Sequence, residues 1–176
     1  SGALVVQALK SGERTAVATG ISLNLSKGST TSLSVVGAVS ATQTSDDTAA
    51  GIDGSTITGE ATTPSALGVQ VVAYDRSRIG AGGGALSVST GKGSASAGAA
   101  ISIVDMKGST SAVLNAGTMT RVHDLAVAAL SSQKVVGMAA VASVQTDASS
   151  KGQLMGSFVF NQIGNTVGAG VKGAAT

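Results

Sequence analysis

The chain has 176 residues, of which 43% are apolar, only 11% are charged and 2% are aromatic, and its formal net charge is +2. Disordered chains combine low hydrophobicity with high net charge, so this composition predicts a folded protein. Its basic residues are spread singly and its aromatic side chains are nearly absent, which excludes a nucleic-acid-binding surface. The lack of cysteine excludes a disulfide scaffold and a thiolate metal site.

The longest uncharged stretch, residues 152–171, is too polar to cross a membrane. Gln153, Asn161, Gln162 and Asn165 interrupt it, whereas a membrane span needs about 20 predominantly apolar residues. No membrane span is therefore expected.

Five segments, taken in chain order, alternate apolar and polar residues with the period of a β-strand. They are residues 21–25, 33–35, 39–41, 86–88 and 101–103. Frequent glycine, serine, threonine and valine disfavour helix throughout. We expect β-strands in which small aliphatic side chains point into a thin core.

Polar clusters that contain glycine separate these segments and predict turns. They are residues 11–13, 27–29, 51–55, 91–94 and 107–109.

The chain repeats a unit of about 60 residues, which is the signature of a stacked architecture. A shift of 63 places Leu4 on Leu67, and a shift of 62 places Val39 on Ile101. Residues 1–63, 64–122 and 123–176 are therefore interpreted as three imperfect copies within one domain.

The third copy aligns with the second at a shorter offset. A shift of 58 places Leu67 on Leu125 and Ile101 on Val159. The small length differences between copies fall in the predicted turns, where a solenoid tolerates them.

These features predict an all-β parallel β-helix, that is, a β-solenoid in which each strand pairs with its equivalent in neighbouring copies. Each unit is expected to form two or three rungs, spaced about 4.8 Å apart. An antiparallel β-sandwich is the alternative, because short turns such as Ser11-Gly12 are able to connect hairpins.

The order of motifs in the second copy resembles passenger repeats of large secreted bacterial adhesins. The motifs are Leu67-x-Val69-x-Val71, the glycine-rich run at residues 80–86, the segment 98–104, and Thr118-Met119-Thr120. They are most similar to leukotoxin-type filamentous adhesins, within the group of filamentous haemagglutinins and autotransporter passengers. The resemblance implies a surface-exposed or secreted fibre of a Gram-negative bacterium, with no catalytic residue and no cofactor to carry over.

Asp46, Asp47 and Asp53 form the densest acidic cluster and are the candidate ligands for a weak calcium site. Calcium takes six to eight oxygen ligands, and the equivalent segment of the second copy does not keep the cluster. A solvated loop is the favoured interpretation, and no metal site is assigned.

Two patterns resemble nucleophilic sites. Residues 131–134 match Ser-x-x-Lys, and the single histidine, His123, precedes Asp124. No second element of either catalytic signature accompanies them, so a polar turn and a solvated turn residue are the favoured interpretations. No catalytic residue is assigned.

Two glycine-rich segments, residues 80–84 and 91–94, lack the spacing of a phosphate-binding loop. They are interpreted as inward-packed or corner glycines.

The expected function is structural and adhesive: a solenoid segment that extends a fibre and contacts a host glycan or protein. One alternative is a polysaccharide-active β-helix enzyme, for which Asp75, Arg76 and Arg78 are the only dense charged group. The other alternative is a module that associates with itself through the open ends of the solenoid.

Overall fold

The computed structural model describes residues 2–25, 32–59, 67–146 and 151–173. These residues form seven β-strands and no helix. The strands are β1 (Ala3–Leu25), β2 (Leu33–Thr58), β3 (Leu67–Thr90), β4 (Ala95–Thr120), β5 (Val122–Ser131), β6 (Lys134–Gln145) and β7 (Gly152–Lys172).

The strands form two sheets, and every pairing among the described residues is parallel. Sheet A contains β1, β3 and the pair β5 and β6, whereas sheet B contains β2, β4 and β7. The predicted all-β parallel fold is confirmed, and the antiparallel sandwich is wrong.

Each sequence unit builds one rung, defined here as one strand of sheet A followed by one strand of sheet B. In the third rung the sheet A strand is interrupted, because β5 pairs with Leu67–Asp75 of β3 and β6 pairs with Arg78–Ser89. The expectation of two or three rungs per unit is wrong, since the strands are much longer than usual. β3, for example, has 24 residues and spans about 80 Å.

The pairing register follows the sequence repeat between β2 and β4 and departs from it elsewhere. Val39 pairs with Ile101, as the shift of 62 predicts. Leu4 pairs with Val69, two residues beyond the predicted Leu67. In the third rung Ile101 pairs with Phe158, one residue before the predicted partner.

Most of the predicted turns are strand residues. Residues 11–13, 51–55 and 107–109 lie inside β1, β2 and β4, with a register irregularity around Gly54, whose φ is 62°. Only residues 91–94 form a corner, where Gly91 and Gly93 have φ of 117° and 73°. Residues 27–29 lie outside the described residues.

The alternating segments face the opposite way from the expectation. Their serines point into the interior, where Ser34, Ser87 and Ser102 are buried. Their large apolar residues point outward, and Ile21 and Leu33 are 75% and 65% exposed. The expected inward position of the apolar face is therefore wrong in all five segments.

The close approach of the two sheets explains this inversion. A Cβ on Gly83 of β3 would lie 2.9 Å from the carbonyl oxygen of Ile101 in β4. The hydroxyl of Ser102 donates to the carbonyl oxygen of Ala81 across the same gap, at 2.9 Å. A leucine or isoleucine does not fit in such a space, because interiors are close-packed and overpacking costs about 1–3 kcal/mol.

Serine hydroxyls stabilise the interior near the corners that follow the sheet A strands. Ser34 Oγ lies 2.8 Å from Ser22 Oγ and 2.8 Å from Ser87 Oγ. In the next rungs Ser96 Oγ lies 2.8 Å from Ser143 Oγ. These bonds satisfy hydroxyls that would otherwise be buried without partners.

The largest apolar core lies at the opposite end of the strands. Its members include Val69, Val71, Leu114, Met119 and Ile57, which are all buried. Two smaller clusters lie further along the interior. The apolar interior is therefore concentrated where the sheet A strands begin.

We expect Ser87→Ala to lower the free energy of unfolding by about 1 kcal/mol, because it removes the buried hydrogen bond to Ser34. Ser89→Ala is the matched control. The Ser89 hydroxyl is also buried, and it has no partner among the described residues. The control should leave stability unchanged or raise it, and urea denaturation of both variants measures the difference. Equal losses in the two variants would contradict the assignment.

Candidate functional site

The three candidate calcium ligands lie on two different faces of β2. Asp46 points into the interior and lies 3.0 Å from Lys10 Nζ and 3.5 Å from Arg14 Nη1. The hydroxyl of Thr44 also donates to Asp46, at 2.8 Å. The carboxylate is thus held by two cations and a hydroxyl.

Asp47 and Asp53 point outward from sheet B. Asp47 Oδ1 accepts hydrogen bonds from the backbone nitrogen and the hydroxyl of Ser109, at 2.9 and 2.8 Å. Asp53 accepts a bond from the side-chain amide of Asn115. The solvated-loop interpretation is wrong, because all three aspartates belong to a paired strand. No three His, Cys, Asp or Glu side chains of the described ranges form a group able to hold a metal.

The contacts of Asp46 lower the pKa of its carboxyl group. The hydrogen bond from Lys10 has the largest effect, followed by the bond from Thr44, and the charges of Lys10 and Arg14 act in the same direction. Partial burial opposes them, but it does not outweigh them.

The charged residues Asp75, Arg76 and Arg78 do not share one face of β3, because successive side chains of a strand point to opposite sides. Asp75 is buried, 1% exposed, and accepts hydrogen bonds from Ser77 and from Gln133 Nε2. Arg76 and Arg78 point outward, and Arg78 lies 3.7 Å from Glu13. The three side chains do not line one groove, as a site for polysaccharide cleavage would require.

The Ser-x-x-Lys pattern lies at the interruption between β5 and β6. Ser131 pairs with Asp75 of β3 and, like it, points inward. Its hydroxyl accepts a hydrogen bond from Asn165 Nδ2 at 2.7 Å. Lys134 pairs with the outward Arg78 and is exposed. A nucleophile and its base must lie within hydrogen-bond reach, and these two residues point to opposite faces.

His123 lies in β5 and not in a turn. Its Nδ1 is 3.2 Å from Asp124 Oδ1, and the two side chains are 75% and 82% exposed. The expectation of a solvated residue is therefore correct, whereas its placement at a corner is not.

One half of the outer face of sheet B carries polar side chains that bond from rung to rung. Gln43 Nε2 donates to Asp105 Oδ2 at 3.2 Å, in the same register as the Asp47–Ser109 and Asp53–Asn115 pairs. Lys107 Nζ lies 3.0 Å from Asp105. We call this surface the polar half of sheet B.

The other half of the outer face of sheet B is apolar. We call it the apolar half of sheet B, and it consists of Leu33, Val35, Val39, Ile101, Ile103, Leu154, Phe158 and Phe160. The two phenylalanines of the chain are 58% and 45% exposed. They lie on β7, paired with Ile101 and Ile103.

The outer face of sheet A has a depression that we call the glycine furrow. Its floor is formed by Gly80, Gly82 and Gly84 of β3, which face outward. Its walls are Thr15, Val17 and Thr19 of β1 and Val136, Met138 and Ala140 of β6. Two cavities of about 320 and 240 Å³ lie along it.

The fold does not require glycine on the floor of the furrow. A Cβ on Gly80, Gly82 or Gly84 would meet its nearest atom at 3.6, 3.8 or 3.9 Å, which is ordinary contact. Glycine weakens a strand interior and often marks a place where a ligand or another chain approaches closely. The interpretation as inward-packed glycines is correct for Gly83 and wrong for these three.

Sequence reasoning missed Lys10 and the phenylalanines. Lys10 lies on the same inward face of β1 as Val6 and Ala8. A charged residue on an otherwise apolar face was the signal in the sequence for an ion pair in the interior. Phe158 and Phe160 alternate with Val159, so strand alternation was the available signal that the two rings share one face.

Comparison with protein-family models, curated proteins and solved structures gave no match for this chain. In the ranges that the structure describes, no helix is long and apolar enough to cross a membrane. A functional assignment therefore depends on the residues and their geometry.

We expect Asp46→Asn to destabilise the protein by about 1 kcal/mol at neutral pH, because Lys10 and Arg14 lose their carboxylate. The folded-state pKa of Asp46 lies below its ordinary value of 3.8. Its contribution is therefore complete above that value and is lost as the pH falls through the lowered pKa.

We would measure the free energy of unfolding by urea denaturation at neutral pH and at about pH 2. The variant should be less stable than the native chain only at neutral pH. Asp124→Asn, on an exposed carboxylate, is the control and should change little. A difference that persists undiminished in acid would contradict this role of the ion pair.

Gly82 and Gly83 are adjacent residues on opposite faces of β3, and they form a matched pair. Gly83→Ala should destabilise the protein by about 2 kcal/mol, because the added Cβ meets the Ile101 backbone. Gly82→Ala should be neutral or stabilise by up to about 1 kcal/mol, because alanine loses less backbone entropy on folding. Thermal unfolding followed by circular dichroism measures both, and similar losses would contradict the assignment of faces.

Proposed function

We propose that the chain is a structural and adhesive segment of a secreted or surface-exposed bacterial filamentous adhesin. In this role it extends a fibre outside the cell and contacts a host glycan or protein. The proposal rests on the length of the strands. In each of the first two units, one rung consists of two strands of 20 or more residues.

These dimensions favour a role in binding to a surface over a role as a spacer that only lengthens the fibre. One unit adds about 4.8 Å along the solenoid axis but about 80 Å across it. A chain that served only as a spacer would gain far more length per residue from short rungs. Repeats of this kind instead enlarge two broad outer faces, which is useful for a protein that adheres to a surface.

The polar half of sheet B is the surface best suited to a glycan or a polar protein surface. Its carboxylates and amides are held in place by bonds between rungs, among them Asp47 to Ser109 and Asp53 to Asn115. Preorganised groups lose less conformational entropy when they bind. These bonds join β2 and β4 of the first two rungs, so several fixed polar groups lie side by side and weak contacts add by multivalency.

We assign no catalytic role to the segment. Asp75 is buried while Arg76 and Arg78 point outward, and Ser131 and Lys134 also face opposite ways. This division of charged groups supports a binding role over the polysaccharide-active enzyme.

Beads coated with the chain should bind in a saturable manner to some member of an array of mammalian glycans and extracellular-matrix proteins. Ser45→Arg with Ser111→Arg places two bulky cations on the polar half of sheet B, where both serines point outward. This double variant should reduce binding by about tenfold or more.

Gln7→Arg with Gln70→Arg is the matched control, because it adds the same charge to the outer face of sheet A. Binding by the control should stay within about twofold of the native chain. Equal loss in both double variants would refute the assignment to sheet B, and absence of saturable binding across the array would refute the adhesive role.

A further inference from the structure

The free edge of β7 is long and carries little that blocks pairing. β7 has 21 residues, contains no proline, and has Lys172 as its only charged residue. Among the described residues it pairs with β4 alone, just as β5 and β6 pair with β3 alone. Unpaired edges are templates for further strands unless charges, prolines or short strands blunt them. The third rung therefore ends the solenoid with two free edges.

The inner face of β7 is half uncovered. Ile163, Val167 and Val171 point into the interior, yet they are 52%, 49% and 50% exposed. Their partners on β4 are Met106, Thr110 and Leu114, which are at most 2% exposed. The difference arises because β4 packs against sheet A strands of two rungs, whereas β7 packs against β5 and β6 of its own rung. The neighbour that β7 lacks is a further strand of sheet A.

β1 of a second copy has the register to be that strand. We call residues that pair across successive rungs a column. Lys10 pairs with Asp75, and Asp75 pairs with Ser131, so continuation of this column places Lys10 of a second copy beside Ser131. The same register brings Ser22 beside Ser143, and both of these already pair with one serine of β3.

Sheet B extends in step with sheet A. Asp46 and Asn165 are the first and third members of one column, so Asp46 of the second copy lies beside Asn165. Lys10 bonds Asp46 across the interior, and Ser131 bonds Asn165 in the same way. Both ladders are therefore able to form at once.

The inner faces of the two ends are complementary. In the molecule, β3 of the second rung covers β2 of the first, and Ser87 bonds to Ser34 between them. The equivalent offset lays β1 of the second copy over β7. The apolar pairs that result are Val159 with Ala16, Val167 with Ala8, and Val171 with Leu4. The added strand thus covers the half-exposed valines.

The same offset sets the interior cations of the first rung against asparagines. Lys10 faces Asn165, and Arg14 faces Asn161. Inward charges usually prevent pairing at an edge, but Asp46 already lies beside both cations. The side-chain oxygen of Asn165 is buried with no hydrogen-bond partner among the described residues, and an ammonium group has three donors.

The outer faces bring opposite charges together. The columns place Glu13 of the second copy beside Lys134, and Asp53 beside Lys172. Two further carboxylates meet neutral residues: Asp47 lies beside Thr166, and Asp124 lies beside Ala3. Such complementarity fixes the register of partners more than it adds affinity.

We propose that the third rung is a docking site for the first rung of a second copy of this chain. β1 of that copy pairs in parallel with β5 and β6, and its β2 pairs with β7. The contact is heterologous, so each copy keeps one free end and the assembly grows as an open filament. It uses neither outer face, so it is independent of any contact with a host ligand.

The ends are large enough for a stable contact. One end measures about 80 Å along the strands and about 10 Å between the sheets. This is about 800 Å² per copy, the size of a standard interface. We expect association at about micromolar concentration or below.

Val159→Lys with Val167→Lys tests the covered face in the full chain. Both valines are about half exposed in the free third rung, so circular dichroism should give a native-like β spectrum and cooperative unfolding. In a filament the two lysines are buried without partners. Sedimentation velocity should report concentration-dependent assemblies for the native chain and association at least about tenfold weaker for the variant.

Phe158→Lys with Phe160→Lys is the matched control, because it places two lysines on the outer face of the same strand. Its association should stay within about threefold of the native chain. The valine variant keeps a native first rung, so it should also cap native filaments and shorten them when it is added. The control should not shorten them.

The chain has no cysteine, so a disulfide between copies reports the register. Ser11 and Ser132 point outward on either side of Arg76, about 9.6 Å apart in one molecule, which is too far for a disulfide. At the junction they are neighbours, so Ser11→Cys with Ser132→Cys should give a ladder of linked oligomers on oxidation. Ser11→Cys with Ala140→Cys, about 26 Å apart there, should not.

Three results would overturn the proposal: a native chain that stays monomeric at all accessible concentrations, a valine variant that assembles like the native chain, or equal cross-linking by the two cysteine pairs. None of these outcomes depends on glycan or matrix binding, so the adhesive role and the docking of copies fail separately.

Discussion

The close spacing of the two sheets is the constraint on which the rest of the structure depends. Between Gly83 and the Ile101 backbone there is no room for even a methyl group. Glycine, alanine and serine predominate along this part of the interior, where Val36 is also buried, and several of the buried serines bond to carbonyl groups or to one another. The low aromatic content of the chain is thus a consequence of a thin interior, because interiors must be close-packed.

A thin interior forces the large apolar residues of the same strands outward. Strand alternation gives each residue only two faces, so where Ser34 is inside, Leu33 and Val35 must be outside. The hydrophobic effect then acts on the outer faces as well as on the core, and burial of these side chains requires a second layer. The interior is correspondingly rich in polar contacts, such as the ion pair of Lys10 with Asp46.

The sequence repeat predicted the parallel fold and the register of β2 against β4, because equivalent residues of these two strands pair at a shift of 62, as Val39 and Ile101 do. It did not predict which face is buried. Alternation alone is symmetric between the two faces, and the usual assumption that apolar residues face inward fails when the gap is too narrow for them. Glycine was similarly ambiguous, since Gly12 and Gly108 lie within long strands where local chemistry favours turns.

The glycines of β3 have different structural causes on the two faces of the strand. Gly83 faces inward, and the approach of β4 explains it. Gly82 faces outward, where a Cβ would make ordinary contact, so its presence lowers strand stability with no return in packing. The furrow on sheet A is therefore not a product of the packing that determines the interior, where Gly83 is required.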